Sequence, residues 1–200
     1  MKLLLSLLFS LLSYIVFGQI DRSKEVDQFA NVIEKNVFRL MLTVVGLFEE
    51  GAPLTFSYER QILKPVTAVL HVGPYLSRTT SLDDGRSFAI NGYASAELRY
   101  YFNLFRRIRK EKVVRNFSAS YLSIEHNFIS NPLFVLNQSS ADAAQSGSKT
   151  YMNVGRQRQF KQGYLNVFIG PSINVKELVD GFIVFDDFHI GISLGIVLFE

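Results

Sequence analysis

Residues 188–199 read Phe-His-Ile-Gly-Ile-Ser-Leu-Gly-Ile-Val-Leu-Phe, and the alternation in this stretch constrains the whole chain. Ile190, Ile192, Leu194, Ile196 and Leu198 share one face, while His189, Gly191, Ser193, Gly195 and Val197 share the other. A period of two is that of a β-strand, whose successive side chains point to opposite sides. The aliphatic bulk lies on one face and the small or polar residues mostly on the other. A water-soluble barrel would turn its bulk inward. This pattern suits a strand with lipid outside and a crowded interior.

The same polarity frames the N-terminus. Met1-Lys2 precedes an apolar run from Leu3 to Phe17, broken only by Ser6, Ser10, Ser13 and Tyr14 and ending at Gly18-Gln19. One positive charge, an apolar run and small residues make a secretory signal. Residues 1–18 are therefore read as a signal peptide cleaved after Gly18, against the alternative of a single spanning anchor. Residues 19–35 are charged, with Val26, Phe29, Ala30 and Ile33 at helical spacing, and are read as a periplasmic lead-in. Residues 36–200 form the one remaining domain. No later apolar run is long enough for a transmembrane helix. The chain has no Cys, which removes disulfide and thiolate chemistry. A net charge of +3 is too small to argue for nucleic acid. The 18 Phe and 9 Tyr suit aromatic girdles at a membrane interface.

Alternation predicts strands over 36–48, 54–62, 66–77, 87–103, 116–130, 150–160, 164–174 and 188–199. Lys64-Pro65 and Lys161-Gln162-Gly163 are tight connections. Longer loops are expected over 78–86, 131–149 and 175–187, the last with an apolar patch, Phe182-Ile183-Val184-Phe185. That patch is read as packing across the barrel mouth or extending the last strands, against an exposed contact surface. Tyr100, Tyr101 and Phe102 are expected to mark a membrane interface. Residues 106–115 carry Arg106, Arg107, Arg109, Lys110, Lys112 and Arg115, relieved only by Glu111. They read as a solvated turn, with contact to anionic headgroups or an acidic partner as the functional alternative. In the sixth strand Arg156 and Arg158 continue the apolar face, which places them beyond the hydrocarbon region or after a bulge.

Eight such strands close an antiparallel up-and-down barrel whose interior is filled by side chains. Closure leaves no unpaired backbone edge in lipid. The fold class expected is therefore all-β, an eight-stranded transmembrane β-barrel following a signal peptide. Long loops face outward and short turns face the periplasm.

The chain resembles the small outer-membrane β-barrel families of Gram-negative bacteria, including those catalogued as domains of unknown function. The resemblance covers roughly residues 36–199, with the signal ending Val16-Phe17-Gly18-Gln19 before it. It is carried by Ser57-Tyr58-Glu59, by Glu97-Leu98-Arg99-Tyr100-Tyr101-Phe102-Asn103 before a basic turn, and by Gly163-Tyr164 with Gly170-Pro171. It implies a location, the cell outer membrane, with the lipid bilayer and the barrel assembly machinery as partners. It implies no activity. One departure stands out: such barrels finish on an aromatic residue, and here Glu200 holds that place with Phe199 one position early.

Alternation turns Arg39, Glu59, His71, Glu97, Arg99, Glu125 and His189 toward the lumen. Charges inside a narrow barrel need partners. These residues are expected to form a paired interior network, with Glu59, Glu97, Arg99 and Glu125 interlocking to plug the barrel. An ion or proton path through a narrow pore is the functional alternative. A lipid-modifying enzyme would need a nucleophile beside an oriented His. Ser123, Glu125 and His126 are the nearest cluster, but His126 faces opposite to the other two. No catalytic residue, cofactor or metal site is assigned, as neither metal-ligand spacing nor a Gly-rich phosphate loop stands out. The role expected is structural or surface-interacting through the outer loops. A soluble lipocalin-like secreted barrel is the rival fold.

Overall fold

A computed structural model describes residues 35–45, 51–81, 85–112, 114–136, 146–173 and 185–199. The expected signal peptide, nearly all of the lead-in and the patch residues 182–184 lie outside these. Eight strands form one closed barrel in sequential order. They are β1 Asn36–Val45, β2 Gly51–Leu63, β3 Val66–Ser81, β4 Gly85–Tyr100, β5 Ser120–Leu136, β6 Gly147–Phe160, β7 Gly163–Ile173 and β8 Phe185–Phe199. Every neighbouring pair is antiparallel, and β1 pairs with β8 from Phe38↔Phe199 to Val45↔Gly191. The all-β, up-and-down architecture expected from alternation is the one observed.

Several strands run further than alternation suggested. The hairpin of β3 and β4 pairs as far as Ser81↔Gly85, so most of the expected 78–86 loop is strand. β5 continues through Pro132 to Leu136, with register shifts around Asn91 on its partner β4 that take up the irregularity. β2 begins at Gly51, three residues before the start expected at 54, and Phe185 pairs with Ile173. Ile173 is buried at the loop end although its parity on β7 is outward; it keeps its pairing with Thr150 on β6, and the β7–β8 register shifts beside it.

The outer wall is apolar. Leu70, Val72, Ile124, Val154, Ile192 and Leu194 are all exposed on it, Leu194 at 58%. Exposed aromatics collect toward the two rims. At the turn end, the Phe38 ring stacks on Tyr58 at 4.6 Å and meets Phe199 edge-on at 6.5 Å, with Phe160 and Phe102 also exposed. At the loop end stand Phe88, Phe128, Phe134 and Phe188. The inner face is tightly filled. A Cβ on Gly155 would overlap the Tyr121 ring, and one on Gly191 would overlap Phe168, so only glycine fits either place.

The connection between β4 and β5 is more than a solvated turn: its charges are exposed, Arg107 apart, but apolar residues among them are buried. The chain leaves β4 at Tyr100, forms a short helix α1 at Leu104–Arg109, and re-enters through a 3-10 turn at Arg115–Phe117. Leu104, Ile108, Val114 and Phe117 are buried together with Val37, Tyr101, Ala119 and Tyr121. Leu104 and Ile108, four apart, share one helix face. The exposed face carries Arg106, Arg109 and Lys110. The segment is therefore a plug with an apolar underside and a cationic top. It is pinned to β6 by Gln157 N donating to Ala119 O at 3.0 Å and Gln159 N donating to Ser118 Oγ at 3.0 Å. Tyr101 is part of this plug rather than a membrane-interface residue. It is fully buried, and its ring stacks on Phe117 at 5.5 Å.

Candidate functional site

The lumen is the place where charge accumulates. Arg39, Glu59, His71, Glu97, Arg99, Glu125 and His189 are all buried inside the barrel. Parity puts them there: each occupies an inward position of its strand. They do not form one cluster. Five belong to a connected network that reaches the plug, and Glu125 and His189 stand outside it.

Glu59 is the centre of the first group. Arg39 Nη1 donates to Glu59 Oε2 at 2.7 Å. Thr67 Oγ1 and Tyr101 Oη donate to Glu59 Oε1 at 2.7 and 2.5 Å. Arg99 Nη1 lies 3.9 Å from Glu59 Oε2 and donates to Gln157 Oε1 at 2.7 Å. Tyr164 Oη also donates to Gln157 Oε1, at 2.9 Å. The other nitrogen of Arg99 donates to Glu97 Oε2 at 2.5 Å, and His71 Nε2 lies 3.7 Å from the same oxygen. Two guanidiniums and two carboxylates are thus paired in a site closed to water, where an unpaired charge would be strongly disfavoured.

The network also reaches the plug. Arg39 Nη2 donates to the Asn116 carbonyl at 3.3 Å, and Gln157 Nε2 donates to it at 3.1 Å. Aromatic faces complete the packing. The Arg39 guanidinium sits 4.5 Å from the Tyr164 ring centre, and that of Arg99 sits 4.6 Å from Tyr121. Cation–π contacts of desolvated arginines add attraction without another charge. Thr67, Tyr101, Gln157 and Tyr164 are members that the charge pattern did not single out. Their signal was position: each is polar or phenolic, and Thr67, Gln157 and Tyr164 are inward by parity.

Glu125 does not interlock with Glu59. It faces Glu97 directly across β4 and β5, and its own partners are neutral: Tyr93 Oη at 3.3 Å and Asn153 Nδ2 at 3.0 Å, both donating. No ion-pair partner for Glu125 occurs among the described residues. His189 packs between two rings, edge-on to Tyr151 at 4.0 Å and to Phe168 at 5.3 Å. His126 lies on the outer wall, where Nδ1 shares a 2.9 Å hydrogen bond with Thr150 Oγ1. Ser123 and Glu125 are buried on the other side of the same strand, so these three residues make no triad. Among the described residues no group of His, Asp or Glu is placed to hold a metal ion.

No protein-family model matches the chain, and no curated protein matches it in sequence. Among solved structures, it is similar to the crystal structure of the N-terminal β-barrel domain of Pseudomonas aeruginosa OprF. The two share 12% sequence identity over 82% of this chain and 98% of that chain, with a TM-score of 0.44.

Proposed function

We propose that the chain is an integral outer-membrane β-barrel of a Gram-negative bacterium, with a closed lumen and a structural or surface-interaction role rather than a catalytic one. One observation carries this reading. The outer wall of a closed barrel is mainly apolar, with most exposed aromatics toward its rims, while the ion-paired charges of the network are inside. A soluble barrel has no use for that inversion. A membrane barrel needs it, because lipid accepts apolar side chains and rejects unpaired backbone and charge. The partners are the bilayer itself and the barrel assembly machinery, with the loop end as the surface open to other molecules. The plug and the Glu59 network close the turn end, which argues against a conducting path.

Fractionation with a heat-modifiability gel tests the location. The expected result is a chain recovered with outer membranes, needing detergent, whose mobility shifts on boiling. A monomer soluble without detergent would contradict it. Planar-bilayer recording tests the closed lumen: large, stable conductance steps would contradict that part alone.

A further inference from the structure

Two arginines interrupt the apolar outer wall. Met152, Val154, Arg156, Arg158 and Phe160 are the exposed residues of the second half of β6. The β6 register is unbroken from Ser120↔Arg156 to Ile129↔Gly147 on one side and from Thr150↔Ile173 to Phe160↔Gly163 on the other. No bulge turns these arginines inward, so both guanidinium stems lie on the wall with Val154 and Val167. Arg158 is held at the turn-end rim, its guanidinium 4.7 Å from the Phe160 ring centre. That rim of aromatics is where headgroups would lie, if the wall faces lipid as proposed above.

Arg156 and Arg158 are two places apart on one face of β6, so their like charges are neighbours on the wall, and an anion between them relieves their repulsion. The surroundings reinforce the sign. Arg60, Lys64 and Lys161 end their strands at the same rim, and Arg109 and Lys110 cap α1. Glu111 is the only carboxylate outside the lumen at this end among the described residues.

We infer that Arg156 and Arg158 bind the phosphodiester headgroup of an anionic glycerophospholipid at the turn-end rim of the barrel. Guanidiniums suit this ligand because their planar fork matches two phosphate oxygens at once. Their long stems lie along the apolar wall while the charged ends reach the headgroup level. The lipid tails would then run beside Val154, Val167 and Ile169.

The test is native mass spectrometry of the full chain in detergent micelles doped with palmitoyl-oleoyl phosphatidylglycerol or phosphatidylcholine. Wild type is expected to retain phosphatidylglycerol preferentially. Arg156→Gln with Arg158→Gln is expected to weaken that retention about tenfold or more, since each cation near an anionic surface contributes on the order of 1 kcal/mol. Arg60→Gln with Lys64→Gln, which removes the same charge elsewhere on the rim, is expected to keep the preference. Arg156→Gln and Arg158→Gln made singly are the second variants in case the double one fails the heat-shift check of folding, and each should weaken retention. Equal retention of the two lipids by wild type, or a preference that survives loss of both arginines, would overturn the site. Displacement of the lipid by excess inorganic phosphate would overturn the lipid assignment. A chain that is heat-modifiable and detergent-requiring but shows no preference refutes this inference and leaves the membrane reading standing. A chain soluble without detergent refutes both.

Discussion

Two parts of the lumen solve the problem of buried charge differently. Near the plug, Glu59 is contacted by Arg39, Thr67 and Tyr101, and Arg99 bridges toward Glu97 and Gln157. Outside that network, Glu125 accepts hydrogen bonds from the neutral Tyr93 and Asn153, feels Arg99 only at longer range and stands opposite Glu97. The first arrangement is closed on one side by Leu104, Ile108, Val114 and Phe117. A covered site excludes water, so its charges must be matched within the protein. Glu125 lacks that matching, and its surroundings are hydroxyls, amides and rings. The charges around Glu59 are thus matched at hydrogen-bond distance and that of Glu125 is not, so the Glu59 network is expected to tolerate change less.

Substitutions can break this contrast, and their expected effects fall in order. Glu59→Gln keeps the shape and acceptor oxygen but leaves Arg39 without its ion pair. It is expected to destabilise the barrel by about 3–5 kcal/mol, the range for removing one partner of a buried pair. Urea unfolding in lipid vesicles measures this, and a loss below about 1 kcal/mol would put the Glu59 network on the same footing as Glu125.

Phe117→Ala removes the ring stacked on Tyr101 and opens a cavity under the plug, with an expected loss of about 3 kcal/mol. Its effect should be local as well as global. Hydrogen exchange is expected to quicken over 104–119 before it quickens in β2 or β3. Uniform quickening would show that the plug is not a separate unit.

Glu125→Gln is the opposite control. Its loss of charge removes a like-charge neighbour of Glu97, and the new amide can donate to Asn153 if that side chain turns over. Stability is expected to stay within about 1 kcal/mol of wild type, in either direction. A loss as large as that of Glu59→Gln would erase the distinction between the two.

Much of the barrel was legible because strands obey a two-residue period whatever surrounds them. That period alone sorts Ile190, Leu194 and Val167 from His189, Ser193 and Asn166. It gives faces, but neither ends nor partners. β5 runs on past Pro132 because bulges near Asn91 absorb the misfit, and no local residue announces them. The plug was hidden by its own charge: Leu104 and Ile108 sit at helical spacing among arginines, and the charge run masks the apolar pair. In the lumen, parity tells that Arg99 and Gln157 both point inward. Only the closed geometry brings β4 and β6 across from each other so that the two meet at 2.7 Å. Pairing between non-adjacent strands depends on the width and tilt of the barrel, which no single segment encodes.

The central claim is that the aliphatic wall faces lipid and the charged groups lie within. With no native Cys in the chain, single-Cys variants carrying a spin label can be placed at Ile169, Ile192 and Leu194 at mid-wall and at Phe160 on the rim, in reconstituted vesicles. Collision with oxygen, which concentrates in lipid, is expected to dominate at the three mid-wall sites, and collision with a water-soluble nickel chelate at Phe160. Nickel collisions at Leu194 equal to those at Phe160 would mean that water, not lipid, touches the wall.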